Sequence, residues 1–243
     1  MIDIPSEDQQ TAYRLAFVRN CLILIVHAHE RLDPHSLAAA EEPHITGELV
    51  TSAKGLLENP EAEFWMEHIE VLDDPPQNAP NRYGKKRPRI DIEFVTTGRG
   101  RRPRFLIEAK RLYRSDSVSE YFGAGGLQMF VQGQYAAEWP SAGMLGYVQS
   151  ATCATWLERL AVGLADRRTE IACGDTPEWK PAALGDQGLE SVRVSRHQRT
   201  LKHLGHVEVF HLLLDFGACK LNCVNGHRKE HTRETRWLLT SDS

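Results

Sequence analysis

Two short runs near the middle of the chain alternate apolar and polar positions. In residues 90–95 (IDIEFV), Ile90, Ile92 and Phe94 alternate with Asp91, Glu93 and Val95, and in residues 105–110 (FLIEAK), Phe105, Ile107 and Ala109 alternate with Leu106, Glu108 and Lys110. Period two is the signature of a β-strand. The segment between them, Thr97-Gly98-Arg99-Gly100, supplies the glycines that a tight reversal needs, so the two runs are expected to pair as a hairpin. A turn centred between Arg99 and Gly100 sets Asp91 opposite Glu108 with β-carbons about 5 Å apart. Lys110, two residues beyond Glu108, shares that face.

The pattern extends outward from the hairpin. Residues 7–32 hold good helix formers with no glycine or proline and are expected to be helical. After the Asp33-Pro34 break, residues 43–60 form a second helix, with Thr46 as its N-cap, an apolar stripe of Leu49, Val50, Ala53, Leu56 and Leu57, and Asn59-Pro60 as its end. Residues 64–72 read as a helical turn and a short strand, and residues 73–88, rich in Pro, Asn, Gly and basic residues, as a loop. Beyond the hairpin, residues 113–126 look like a flexible connection and residues 127–139 an amphipathic helix. Residues 144–150 form a strand, 155–167 a helix, 170–190 a loop, and 190–195 and 207–216 two further strands, with the basic stretch 195–203 (SRHQRTLKH) between them as phosphate-contacting surface or a solvated turn.

Composition adds scale. A chain of 243 residues can bury a substantial core and reads as one domain, with room for an appended piece. The acidic start, MIDIPSEDQQ, is unlike a signal, and the longest early apolar run, residues 21–26, is too short to span a bilayer, so a cytoplasmic protein without membrane partners is expected. Five cysteines at irregular positions fit reduced thiols or metal ligands better than a disulfide framework.

Charge is unevenly divided. Residues 1–81 hold 4 Lys and Arg against 15 Asp and Glu, a formal −11, while residues 82–114 hold 12 against 3, a formal +9. Lys85, Lys86, Arg87 and Arg89 precede the first strand of the hairpin, and Arg99, Arg101 and Arg102 lie in its turn. Such a cluster is the electrostatic footprint of a phosphate backbone, which it binds without reading sequence. Standing alone, the same cluster reads as a solvated basic loop. Its adjacency to Asp91, Glu108 and Lys110 turns the reading toward phosphate, because a bound metal and a basic rim would act on the same phosphodiester.

Two carboxylates and an ammonium on one rigid face suit Mg²⁺ held through oxygen ligands, with the lysine turned to the substrate and its attacking water. The alternative is an exposed polar hairpin face. Against it stands the apolar run FLIEA, which reads as a central strand buried on both faces, where an acid is costly unless paired.

Asp91 followed by Glu108-Ala109-Lys110, on two strand-like runs joined by a turn, resembles the PD-(D/E)xK phosphodiesterase superfamily, the restriction-endonuclease-like nucleases. Isoleucine stands at position 90, where the family name has proline. The resemblance covers residues 45–150 and implies an αβββαβ core with a mixed central sheet flanked by helices. The order of elements above agrees, giving an α/β protein with an N-terminal helical segment (1–44), a nuclease core (45–168) and a β-rich C-terminal extension packed on it (169–243). The resemblance further implies that Asp91 and Glu108 ligate Mg²⁺, or Mn²⁺ in its place, with the Ala109 carbonyl helping. Lys110 would steady the attacking water or the phosphate charge. Glu48, on the helix before the sheet, matches the acid that many members bring to the metal, and is otherwise a first-turn acid favouring the helix dipole. Gln132 and Tyr135 match a glutamine-containing motif and are expected as substrate contacts, or as ordinary helix surface.

The function implied is hydrolysis of nucleic acid, DNA before RNA, in restriction, antiviral defence or repair, with a homodimer or partner protein possible. The alternative is a non-catalytic nucleic-acid-binding or scaffold subunit. A separate constellation, Cys219, Cys223, His227 and His231, has residue types suited to a structural Zn²⁺ if Asn225-Gly226 reverses the chain, and is otherwise an incidental pattern. If the zinc is real and the hairpin motif accidental, the chain is a small zinc-dependent regulatory protein.

Overall fold

In the computed structural model, which describes residues 6–78, 83–97, 102–174, 178–185 and 188–217, the first helix, α1 (Glu7–Glu30), begins at a capping box. The Ser6 hydroxyl accepts from the Gln9 N–H, and the Gln9 side chain accepts from the Ser6 N–H at 2.8 Å, so two otherwise orphaned donors are satisfied. Its middle, from Phe17 to Ala28, is largely buried. By length and composition α1 could cross a membrane, and 44% of its most apolar window is buried inside the protein. A short α2 (Pro34–Leu37) leads to α3 (Glu42–Leu57), which packs on α1.

Helix α3 starts upstream of its expected Thr46 cap. Pro43 in the first turn explains this, because its fixed φ suits the helix start and its missing N–H is one the first turn leaves unpaired anyway. Thr46 is instead buried inside the helix, its hydroxyl 2.9 Å from that of Tyr147.

Strands β1 (Ile69–Asp73), β2 (Ile92–Thr96) and β3 (Arg104–Leu112) form an antiparallel meander. Strand β4 (Ser141–Val148) lies parallel to β3. Strands β5 (Lys180–Pro181), β6 (Arg193–Gln198) and β7 (His206–Asp215) complete a seven-stranded mixed sheet in the order β1-β2-β3-β4-β7-β6-β5, with β7 parallel to β4. One face is covered by α1 and α3, against Phe94, Phe105, Ile107, Leu145 and Leu212. The other carries α4 (Ser117–Phe122), α5 (Gln128–Val131) and α6 (Cys153–Asp166), against Leu106, Met144 and Leu213. Helices on both faces explain why β3, β4 and β7 read as near-continuous apolar runs.

Three expectations are corrected. Residues 113–126 are not a loose connection, since Tyr121 and Phe122 are fully buried and anchor α4 against the sheet. The helix expected over 127–139 is one turn, after which Gly133 (φ 69°) and Ala136 (φ 50°) take left-handed backbone conformations that end it. The C-terminal strands do not pack on a finished core; β7 pairs with β4 and extends the sheet itself. The basic stretch 195–203, expected as phosphate-contacting surface or a solvated turn, divides: Arg196, Lys202 and His203 are exposed, while His197 and Arg199 are buried.

A chain of buried polar contacts joins these late strands to α4. The Tyr121 hydroxyl is 3.0 Å from His211 Nδ1, His211 Nε2 is 2.7 Å from Ser195 Oγ, Ser195 Oγ is 2.6 Å from His197 Nε2, and His197 Nδ1 is 2.8 Å from the Ile171 carbonyl. One proton assignment satisfies every member: His197 donates from Nδ1 to the carbonyl, Ser195 donates to His197, His211 donates to Ser195, and Tyr121 donates to His211. In this assignment both imidazoles are neutral. Burial accordingly pushes His197 down to about 4 and lowers His211 as well.

Candidate active site

The β2–β3 pairing ends at Ile92 opposite Ile107, while β3 runs on to Leu112. The longer strand therefore has an open edge, whose backbone groups need other partners. Two carboxylates fill the gap. Asp91 Oδ2 accepts from the Ala109 N–H at 2.7 Å, and Glu42 Oε2 accepts from the Arg111 N–H at 3.2 Å. Continuing the register places Asp91 opposite Glu108, as the hairpin pattern predicts.

Lys110 ties the acids together. Its Nζ donates to Glu108 Oε1 at 2.9 Å, to Glu42 Oε1 at 2.9 Å and to the Ala109 carbonyl at 2.6 Å, so its three donors are used. Three carboxylates thus face one ammonium in a place largely removed from water. Burial pushes Asp91 up to about 6, with Lys110 and the Ala109 N–H opposing. Glu108, 6% exposed, is pushed up to about 8 by burial and then by the charge of Asp91. For Lys110 burial favours the neutral amine, but the charges of Glu108, Glu42 and Asp91 outweigh it and raise its pKa.

A second buried acid on the hairpin provides the contrast. Glu93 takes Arg104 at 2.7 Å and the Gln77 side-chain amide at 3.0 Å, so each of its oxygens has a donor. Glu108 Oε2 is buried without a hydrogen-bond partner. An orphaned carboxylate oxygen costs about 1–3 kcal/mol or more for a charged group, and something that binds it would recover that loss. A divalent cation fits: the site has a deficit of positive charge, oxygen donors and an acid pair. Among the described residues, no three His, Cys, Asp or Glu side chains form a ready-made metal cage. Mg²⁺ does not require one, since it is commonly held by one or two carboxylates with water and substrate phosphate completing its shell.

The helix acid of the site is Glu42, not Glu48. Glu48 lies six residues further on, about 9 Å along the axis and on another face. Its side chain is 53% exposed beside His44, at 3.9 Å. The sequence cue to Glu42 is Pro43, which moves the helix start upstream and puts Glu42 at its first residue. The Ala109 carbonyl, expected to help hold the metal, is occupied by Lys110. Tyr135 is buried next to the acids and donates to the Arg89 carbonyl, two residues before Asp91, so it braces the segment that carries the aspartate. Gln132 is exposed and hydrogen-bonded to Gln134 at 2.7 Å, away from these groups.

The basic residues divide. Lys85 and Lys86 are exposed on a 3₁₀ turn, Gly84–Lys86, and Arg102 is exposed at the start of the second strand's approach. Arg89 is held by Asp74 at 2.6 Å, and Arg87 is half-buried, 3.5 Å from Asn78. Arg99 and Arg101 lie outside the described residues, as do Cys219, Cys223, His227 and His231. Among the described residues, no disulfide joins Cys21, Cys153 and Cys173.

Comparison with known proteins found no matching family model, no similar curated protein and no similar solved structure.

Proposed function

We propose that the chain is a metal-dependent nuclease of the PD-(D/E)xK type that hydrolyses phosphodiester bonds of nucleic acid. One observation carries the reading: the buried, unpartnered Oε2 of Glu108 stands opposite Asp91 at the open edge of β3, with Lys110 bound to the same glutamate. The succession of α3, β1, β2, β3, the α4–α5 segment and β4 supports the αβββαβ core of the restriction-endonuclease-like fold, as do the antiparallel β1–β3 meander and the parallel β3–β4 pair.

Asp91 and Glu108 would hold Mg²⁺ or Mn²⁺. When bound, the cation supplies Lewis acidity toward a phosphate oxygen and acidifies a coordinated water. Lys110, whose three donors are held by Glu108, Glu42 and the Ala109 carbonyl, would steady the charge growing on the phosphate through its positive field, or the attacking water on exchanging one of those bonds. Glu42 positions Lys110 through one oxygen and the β3 backbone through the other. Lys85 and Lys86 hold phosphates on the approach to Asp91. DNA is the favoured substrate by family analogy, and a role in restriction, antiviral defence or repair rests on that analogy alone.

The test is incubation of the full chain with linear, circular and single-stranded DNA and with RNA, in Mg²⁺ or in EDTA. Cleavage that requires Mg²⁺ is expected on at least one substrate. Retention of nucleic acid without cleavage of any of them would instead favour a non-catalytic binding subunit.

A further inference from the structure

The loop that delivers Asp91 carries an aromatic ring at its outer end. Tyr83 is 80% exposed, the most exposed of the large hydrophobic side chains among the described residues. It immediately precedes the Gly84–Lys86 turn, which is closed by the Lys86 N–H donating to the Tyr83 carbonyl at 3.2 Å and the Arg87 N–H donating to Gly84 at 3.3 Å. Gly84 takes a left-handed conformation (φ 57°), which lets the chain reverse directly behind the ring.

The base of this loop is fixed. Pro76 bridges Arg89, the Gln77 N–H donates to the Pro88 carbonyl at 2.7 Å, and the Ile90 N–H donates to the Pro75 carbonyl at 3.3 Å. Tyr135 holds the Arg89 carbonyl. The ring is therefore presented on an arm braced at its base, and the chain runs on from that base to Asp91. Asp91 lies eight positions after Tyr83, a span of at most about 28 Å.

Charge on this arm is sorted. Arg89 at its base is neutralised by Asp74, while among the described residues no ion pair engages Lys85 or Lys86, both exposed and two and three residues after the ring. An exposed π-face followed on the same turn by two ammonium groups without an ion pair matches an unpaired nucleotide, whose base stacks on the ring while its phosphates meet the lysines. A continuous duplex offers the lysines its backbone but keeps its base faces covered.

Resting on the nuclease reading, we propose that Tyr83 is a stacking platform for an unpaired base, and that the substrates are strands with a single-stranded segment or end lying across Lys85 and Lys86 toward Asp91 and Glu108. Stacking on one aromatic side chain changes affinity by roughly tenfold or more.

The experiment is equilibrium binding of the full chain to a fluorescein-labelled 20-mer, read by anisotropy in EDTA so that nothing is cut. Single-stranded DNA, single-stranded RNA of the same sequence and the blunt DNA duplex are compared. Tyr83→Ala is expected to weaken binding of a single strand about tenfold and to leave duplex binding within about twofold, while Tyr83→Phe keeps wild-type affinity. Whichever single strand responds more identifies the sugar of the preferred ligand. Unchanged single-strand affinity in Tyr83→Ala, an equal loss for duplex, or a loss in Tyr83→Phe matching that of Tyr83→Ala would each overturn the proposal. Binding in EDTA does not require catalysis. Tyr83-dependent stacking by a protein that cuts nothing in Mg²⁺ would remove the nuclease reading alone, and cleavage with Tyr83-insensitive binding would remove this proposal alone.

Discussion

Glu108→Gln is expected to lower Mg²⁺-dependent cleavage by about a thousandfold, the scale on which removing one preorganised electrostatic group slows an enzyme. Glutamine keeps the volume and one carbonyl oxygen for Lys110 but removes the negative charge that a cation requires. Initial rates on the best substrate measure the effect, and a loss below about tenfold would remove Glu108 from the site. This substitution is cleaner than one at Lys110. Removing the lysine would leave Glu42, Glu108 and Asp91 facing one another without their shared counter-charge, so lost activity and lost stability would be mixed.

Arg199→Met is expected to destabilise the fold severely. Arg199 is 2% exposed, and its guanidinium donates to the carbonyls of Ala137 at 2.6 Å, Ala136 at 2.7 Å and Trp139 at 2.6 Å. These contacts gather the turn after α5, where Ala136 sits at positive φ, and seat it against the end of β6. Methionine has similar bulk but removes three hydrogen bonds from a charged donor, at a cost of about 3–5 kcal/mol. For a chain of this size that lowers the midpoint of thermal unfolding by roughly 10 °C. A shift below about 3 °C would show that water or a rearranged turn replaces the arginine. Because Tyr135 lies in the same turn and braces Arg89, cleavage should fall with stability.

Much of this arrangement is legible in the sequence where local rules decide. The hairpin alternation locates both strands and their register, since period two and a glycine-bearing turn leave few ways to pair them. The failures have physical reasons too. Thr46 is a good cap residue by type, but Pro43 upstream and the buried hydroxyl of Tyr147 draw it into the helix instead. Pro43 marks where Glu42 sits on the helix, but the role of Glu42 is set by the place where β3 outruns β2, a tertiary fact with no local signature. The basic stretch around Arg196 and Arg199 reads as solvated surface, yet the apolar alternation of β6 is weak because its inward positions are Ser195 and His197, satisfied by each other, by His211 on β7 and by the Ile171 carbonyl. Polar residues that are buried by pairing with one another cannot be told from exposed ones until the partner is known.

The central claim is that Asp91 and Glu108 form a cation site, and thermal unfolding of wild type and Glu108→Gln with and without about 10 mM Mn²⁺ tests it most directly. Burial of Glu108 and its pKa of about 8, against an ordinary value of 4.5, mean that without metal the wild type loses stability as pH rises from about 4.5 to 8. At pH 7.5 the metal-free variant should therefore unfold at the higher temperature. Binding to the native state alone stabilises by mass action, so Mn²⁺ should raise the wild-type midpoint by several degrees and leave the variant unmoved. A wild-type midpoint indifferent to Mn²⁺, or a variant that responds as fully as the wild type, would contradict the account.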